Sequence, residues 1–146
     1  MKIFIGSDHA GYNLKTSLKE FLLVAGHDVE DVGVDTAEVK ADYPDSAKKV
    51  GEAVTGEAGS FGVLVCGSGV GMCIAANKID GIRAVNVDSE EIAKMSRLHN
   101  DANVICFGER MVAEEVAKEA LTVFLNTEFE GGRHSARVEK ISQMEK

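Results

Sequence analysis

Residues 61–78 read Phe61-Gly62-Val63-Leu64-Val65-Cys66-Gly67-Ser68-Gly69-Val70-Gly71-Met72-Cys73-Ile74-Ala75-Ala76-Asn77-Lys78, and this stretch decides the fold. Its first six residues are almost wholly apolar, as in a central strand covered on both faces. The glycine-rich turn Gly67-Ser68-Gly69-Val70-Gly71 follows, and a helical stretch runs over 72–78. Strand, turn and helix in that order make one βα unit of a parallel sheet.

The same alternation extends in both directions. Residues 2–6 read as a first strand. Over 12–25, Leu14, Leu18, Phe21, Leu22 and Ala25 recur every three or four residues and share one helix face, and Gly26 ends that helix. A weaker strand at 27–33 precedes a polar stretch without period; Pro44 then suits a helix's first turn, with Ala47, Val50 and Val54 on the buried side. Beyond the glycine turn come a strand at 82–87 and a helix from Ser89 to about Leu98, whose Glu90 and Glu91 favour the positive end of the dipole. A strand at 103–107 and a helix marked by Val112, Val116, Leu121 and Phe124 complete the pattern. The expected architecture is α/β, a three-layer αβα sandwich on a five-stranded parallel, Rossmann-like sheet. Residues 127–146 add a glycine-containing loop and a short helix. Its stripe, Val138 and Ile141, is too small for a core of its own, so this helix is expected to pack on a partner subunit. Nothing resembling a linker or repeat divides the chain, which reads as a single domain, 1–146.

Composition narrows the partners. Twenty-four acidic against sixteen basic residues leave a formal charge of −8, which argues against a nucleic-acid or anionic-membrane surface. No apolar run approaches the roughly 20 residues of a spanning helix, and the apolar start is too short for a signal peptide, so a cytoplasmic location is expected. Cys66, Cys73 and Cys106 are odd in number, lie in apolar runs and form no Cys/His pattern of zinc-ligand spacing. They are expected to be reduced thiols, with neither metal nor cofactor implied.

In open α/β sheets ligands bind beyond the carboxyl ends of the strands. Ser7-Asp8-His9 follows the first strand, Cys66 and the glycine turn the third, and Gly108-Glu109-Arg110 the fifth; His99-Asn100-Asp101 follows the fourth helix. Acid, imidazole, thiol and glycine turn are expected to converge on one side of the sheet. The turn lets backbone amides approach a phosphate or a developing oxyanion, or it is simply a packing device between strand and helix. Its G-x-G-x-G spacing is not the dinucleotide fingerprint, and no Gly-Lys-Ser/Thr follows as in a P-loop. Cys73 and Cys106 read as inert core thiols, whereas Cys66, at the mouth of the turn, is either another such thiol or a base or nucleophile. His9 and His99 are solvated loop residues or caps if taken singly, and Asp8 equally suits a helix cap. Arg133, His134 and Arg137 form a cationic cluster that fits phosphate oxygens as well as surface ion pairs.

Taken together, Gly6-Ser7-Asp8-His9-Ala10-Gly11, Asp42-Tyr43-Pro44-Asp45, the 66–71 turn with Ile74-Ala75-Ala76-Asn77-Lys78, Arg97-Leu98-His99-Asn100-Asp101-Ala102-Asn103-Val104 and Phe129-Glu130-Gly131-Gly132-Arg133-His134 resemble the type B ribose-5-phosphate isomerases. The resemblance runs from residue 3 to about 144. It implies a cofactor-free aldose–ketose isomerisation through an enediolate, and a sheet of order 2-1-3-5-4. Cys66 takes the place of the base that moves the proton between C1 and C2, and the amides of Gly67, Ser68, Gly69, Val70 and Gly71 that of the oxyanion site. His99 matches the ring-opening acid and base, aided by Asp8, and Asn100 a sugar contact. His9, Arg110, Arg133 and Arg137 match phosphate-side groups, with His134 in support. Arg133 and Arg137 are expected from a neighbouring subunit, since the family forms dimers, sometimes paired into tetramers, with shared sites. Members without the cysteine use a glutamate just after the turn, where this chain has Met72.

The related galactose-6-phosphate isomerase subunits share part of the motif set, so a six-carbon substrate such as allose 6-phosphate or galactose 6-phosphate stays open beside the pentose. Two readings from other classes are a non-catalytic module for a phosphorylated metabolite and a cysteine phosphatase. The latter needs an arginine about six residues after its nucleophile, where this chain has Met72.

Overall fold

A computed structural model describes residues 1–145. Five strands, β1 (Lys2–Ser7), β2 (Asp28–Asp31), β3 (Phe61–Cys66), β4 (Ala84–Asn86) and β5 (Val104–Gly108), alternate with α1 (Tyr12–Val24), α2 (Tyr43–Thr55), α3 (Val70–Ala76), α4 (Glu90–Asn100) and α5 (Glu114–Asn126); α6 (Arg133–Gln143) follows. All sheet pairings are parallel, in the order β2-β1-β3-β5-β4. The αβα sandwich is therefore as expected, down to the strand order that the resemblance implies.

Successive side chains of a strand face opposite ways, and the central strands build two cores. Ile3, Ile5, Val63, Val65, Ile105 and Phe107 face α1, α4 and α5, where Leu18, Leu22, Leu121 and Phe124 meet them. Phe4, Leu64, Cys66, Val104 and Cys106 face α2 and α3. Each large apolar side chain buried in this way contributes about 1.5–3 kcal/mol. No helix of the described residues is long and apolar enough to cross a membrane.

Differences from the expected boundaries have local causes. The helix after the glycine turn begins at Val70 rather than 72, because Gly69 caps it from the left-handed region, φ +82°. A side chain there would be strained, and its Cβ would press on Asn86 Oδ1 and the Gly108 backbone. That helix stops at Ala76, where Asn77 turns back to clamp β4: its Oδ1 accepts from Ala84 N at 2.7 Å and its Nδ2 donates to Ala84 O at 3.0 Å. The edge strands β2 and β4 are shorter than the apolar runs that mark them. Val112 precedes α5, whose inner face is Ala117, Ala120, Leu121, Phe124 and Leu125.

Candidate active site

The sheet reverses its strand order between β1 and β3, so a crevice opens at their carboxyl ends. A cleft of about 280 Å³ lies there, lined by Asp8, His9, Tyr43, Cys66, Gly67, Ser68, Gly71 and Arg110. Cys66 is only 4% exposed, and its Sγ accepts a hydrogen bond from Gly69 N at 3.1 Å. Ser68 Oγ accepts from Val70 N at 3.2 Å. The first helical bond of α3 runs from Cys73 N to Gly69 O, so the Gly71 and Met72 amides precede any intrahelical partner.

The opposite wall is equally fixed. Asp8 is buried and takes Gly11 N on Oδ1 at 3.0 Å, so it does brace the entry to α1 while lining the cleft. Gly11 leaves room for nothing larger, since a Cβ would run into the Val65 carbonyl. His9 Nδ1 lies 3.1 Å from Ala41 N and 3.2 Å from Ala41 O, so the Ala41 backbone holds the ring through Nδ1. Arg110 is held by its own backbone, Arg110 N to Gly67 O at 3.0 Å, and its guanidinium lies over Gly67.

His99 and Asn100 are not in this cleft, contrary to the expected convergence. They occupy the last turn of α4, which ends three residues before β5 begins. A helix returning between parallel strands ends at the sheet's amino edge, and the five residues of β5 separate that edge from Gly108, opposite Cys66, by about 13 Å. His99 instead stacks on His134, ring centroids 4.4 Å apart, beside the start of α6. Arg133 and Arg137 project from α6 and are exposed. Asn100 lines a larger cavity of about 950 Å³ with Ile141 and Met144, at the edge away from Cys66. The residues expected to share one site thus fall into two groups at opposite ends of one chain, a first half-site at the cleft and a second around His99 and His134.

The other two thiols sit behind the turn. Cys106 donates to Cys73 and pulls it down to about 7, with the Asn86 backbone adding to the effect against partial burial. The same bond, with full burial, pushes Cys106 well above its usual range. At the second half-site, burial and then the neighbouring His99 and Arg133 hold His134 below the ordinary histidine value, against the pull of Glu130. Two residues of the first half-site carry no role in the sequence reading. Tyr43 forms a wall against Gly71, and its only signal is membership of the 42–45 motif. Glu109 Oε1 takes Leu14 N at 2.7 Å, tying the loop that carries Arg110 to α1; no spacing announces that contact.

Known proteins share this fold. The chain is 45% identical to ribose-5-phosphate isomerase B of Escherichia coli over 144 residues, covering 99% of this chain and 96% of the relative. The solved structure of the Clostridium thermocellum ribose-5-phosphate isomerase B superposes with a TM-score of 0.95 at 48% identity, covering 99% of this chain and 97% of that one. That of the Mycoplasma genitalium enzyme with bound ribulose 5-phosphate gives a TM-score of 0.94 at 40% identity, covering 98% and 95%. The family model described as Ribose/Galactose Isomerase matches residues 3–141, and the chain belongs to that family of isomerases.

Proposed function

We propose that this isomerase interconverts ribose 5-phosphate and ribulose 5-phosphate through an enediolate, with Cys66 as the base. The observation that carries this is the Cys66 sulfur at the floor of a polar cleft, already accepting an amide hydrogen bond from Gly69. In the forward direction the Cys66 thiolate takes the proton from C2 of the open-chain aldose, and the C2–H electron pair forms the C1–C2 double bond. The carbonyl electrons pass to O1, where the turn's amides stabilise the charge. Return of the proton to C1, with the O2 proton passing to O1, completes the ketose. No external oxidant or hydride acceptor enters the balance.

The second half-site then comes from another copy. His99 of the partner subunit takes the proton of the anomeric hydroxyl and returns one to the ring oxygen, with Asp8 in support and Asn100 of the partner subunit on the sugar. Phosphate is held by His9 and Arg110 and, across the boundary, by Arg133 and Arg137 of the partner subunit, with His134 behind them. Charge pairing favours this: of five arginines, Arg83 and Arg97 are engaged by Asp101, whereas Arg110, Arg133 and Arg137 form no ion pair among the described residues. Exposed Val70, Ile74, Ile141 and Met144 supply apolar surface for a subunit contact.

Because the family takes in galactose isomerases, six-carbon phosphates are the competing substrates. A coupled assay on ribose, allose and galactose phosphates, repeated with a chelator, is expected to favour ribose 5-phosphate at least tenfold in kcat/KM and to be unchanged by the chelator. Cys66→Ala is expected to lose about 10³-fold in turnover while still binding substrate. Near-normal turnover of that variant overturns the base; preference for a hexose phosphate overturns the substrate.

A further inference from the structure

Glu109 stands one position past β5 and joins the three chain segments that build the cleft. Its backbone N donates to Cys66 O at 2.8 Å and Arg110 N donates to Gly67 O at 3.0 Å, which pins this segment along the start of the glycine turn. The side chain reaches the other way. Its Oε1 accepts from Leu14 N at 2.7 Å, across 95 residues of sequence. Leu14 lies in the first turn of α1, ahead of the first intrahelical bond, from Lys15 N to Gly11 O. Gly11 gives that helix no side-chain cap, and its first turn holds no acidic residue. Glu109 therefore supplies both the acceptor and the negative charge from the far side of β3.

A carboxylate free to pair with Arg110 would compete with an anionic ligand for the guanidinium. Here Glu109 is committed to Leu14, and Arg110 enters no ion pair among the described residues. The guanidinium stays over the turn, where a Cβ placed on Gly67 would stand 3.0 Å from Arg110 Nη1 and 3.7 Å from Ala10 Cβ. Asp8, His9 and Ala10, which lead into α1, form the opposite wall of the same cleft. We propose that Glu109 is a positioning residue for the substrate phosphate: by capping α1 it fixes the spacing between Arg110 and His9 and keeps its own charge off the guanidinium. The inference rests on the phosphate role proposed for those two residues. Its sign is distinctive. By charge alone, removing an acid near a bound dianion tightens binding, whereas losing the tie between the two walls weakens it.

The readouts are KM for ribose 5-phosphate and the dissociation constant of inorganic phosphate, titrated into the intact protein. Glu109→Ala is expected to raise both about tenfold with kcat within about twofold of wild type. Glu109→Gln keeps a carbonyl oxygen for Leu14 N and is expected to restore both constants. Glu109→Asp, charged but one methylene short, is expected to behave as the alanine does. A role in helix capping alone would lower the denaturation midpoint and move neither constant. Unchanged or lowered constants in Glu109→Ala or Glu109→Asp overturn the positioning role, as does a glutamine that fails to restore them. Arg110→Ala separates the two readings. If it leaves both constants unchanged, the phosphate role itself falls, and the inference with it. If it raises them, adding Glu109→Ala is expected to change them by less than about twofold, because nothing is left to position; a further tenfold loss overturns the positioning role alone.

Discussion

Gly69 is the residue at which conformation and chemistry meet. Its left-handed backbone both caps α3 and aims its amide at the Cys66 sulfur. Gly69→Ala is expected to cost about 1–3 kcal/mol of stability from backbone strain alone, seen as a lowered denaturation midpoint, and to depress kcat in the protein that still folds. Cys73 offers a separate test. With its thiol drawn down to about 7 by the Cys106 hydrogen bond, its thiolate is half formed near neutrality instead of two pH units higher. Alkylation followed by peptide mapping is expected to show Cys73 modification rising through about pH 7. In Cys106→Ala the donor is gone, and the midpoint is expected to move up. Both thiols looked like core residues in sequence, and for Cys106 the burial agrees; the polarisation of Cys73 comes from contact across α3 and β5, which spacing does not encode.

Among the elements, α1 and the edge strand β2 depend on charge where apolar surface is short. Lys15 is 2% exposed, and its Nζ contacts Asp31 at 2.9 Å and donates to Val34 O at 2.7 Å. Asp31 also accepts from Gly33 N, so one carboxylate holds both the helix and the exit from the strand. Removing it leaves a buried ammonium without its counter-charge. Asp31→Ala is expected to cost about 3 kcal/mol or more in urea unfolding, whereas replacing Lys15 and Asp31 together with apolar residues is expected to cost less. The four-residue β2, exposed on alternate positions, shows why its full 27–33 span is not a strand: past Asp31 the chain bends to meet that carboxylate.

At the scale of the whole molecule, the proposed site draws on two halves of the chain that stand apart in the fold. Cys66→Ala and Arg137→Ala subunits, each inactive alone, are expected to regain about a quarter of wild-type turnover when refolded together. Random pairing makes half the dimers mixed, and each mixed dimer has one site with both residues intact. No recovery would place both residues in one subunit's site. The charge of −8 does not oppose the anionic ligand proposed, because the site proposed for it gathers Arg110, Arg133 and Arg137, none of which forms an ion pair among the described residues.

Alternating apolar runs and helical periods determined the αβα sandwich, because burial on two faces writes itself into composition and period. Motif order determined which residues to inspect, and the βα turns determined that Asp8, His9, Cys66, Gly67 and Arg110 share a cleft. Only the tertiary structure decided that His99 and Asn100 lie elsewhere, beside His134; for Arg133 and Arg137 the resemblance already implies a place in another subunit's site. A helix between parallel strands must return the chain to the sheet's opposite edge, so a residue at its end is separated from the strand ends by the length of the sheet, however near a loop it looks in sequence. The meeting of His99, Glu130 and His134 was likewise settled only by folding, since α6 docks beside α4 through contacts that no local pattern records.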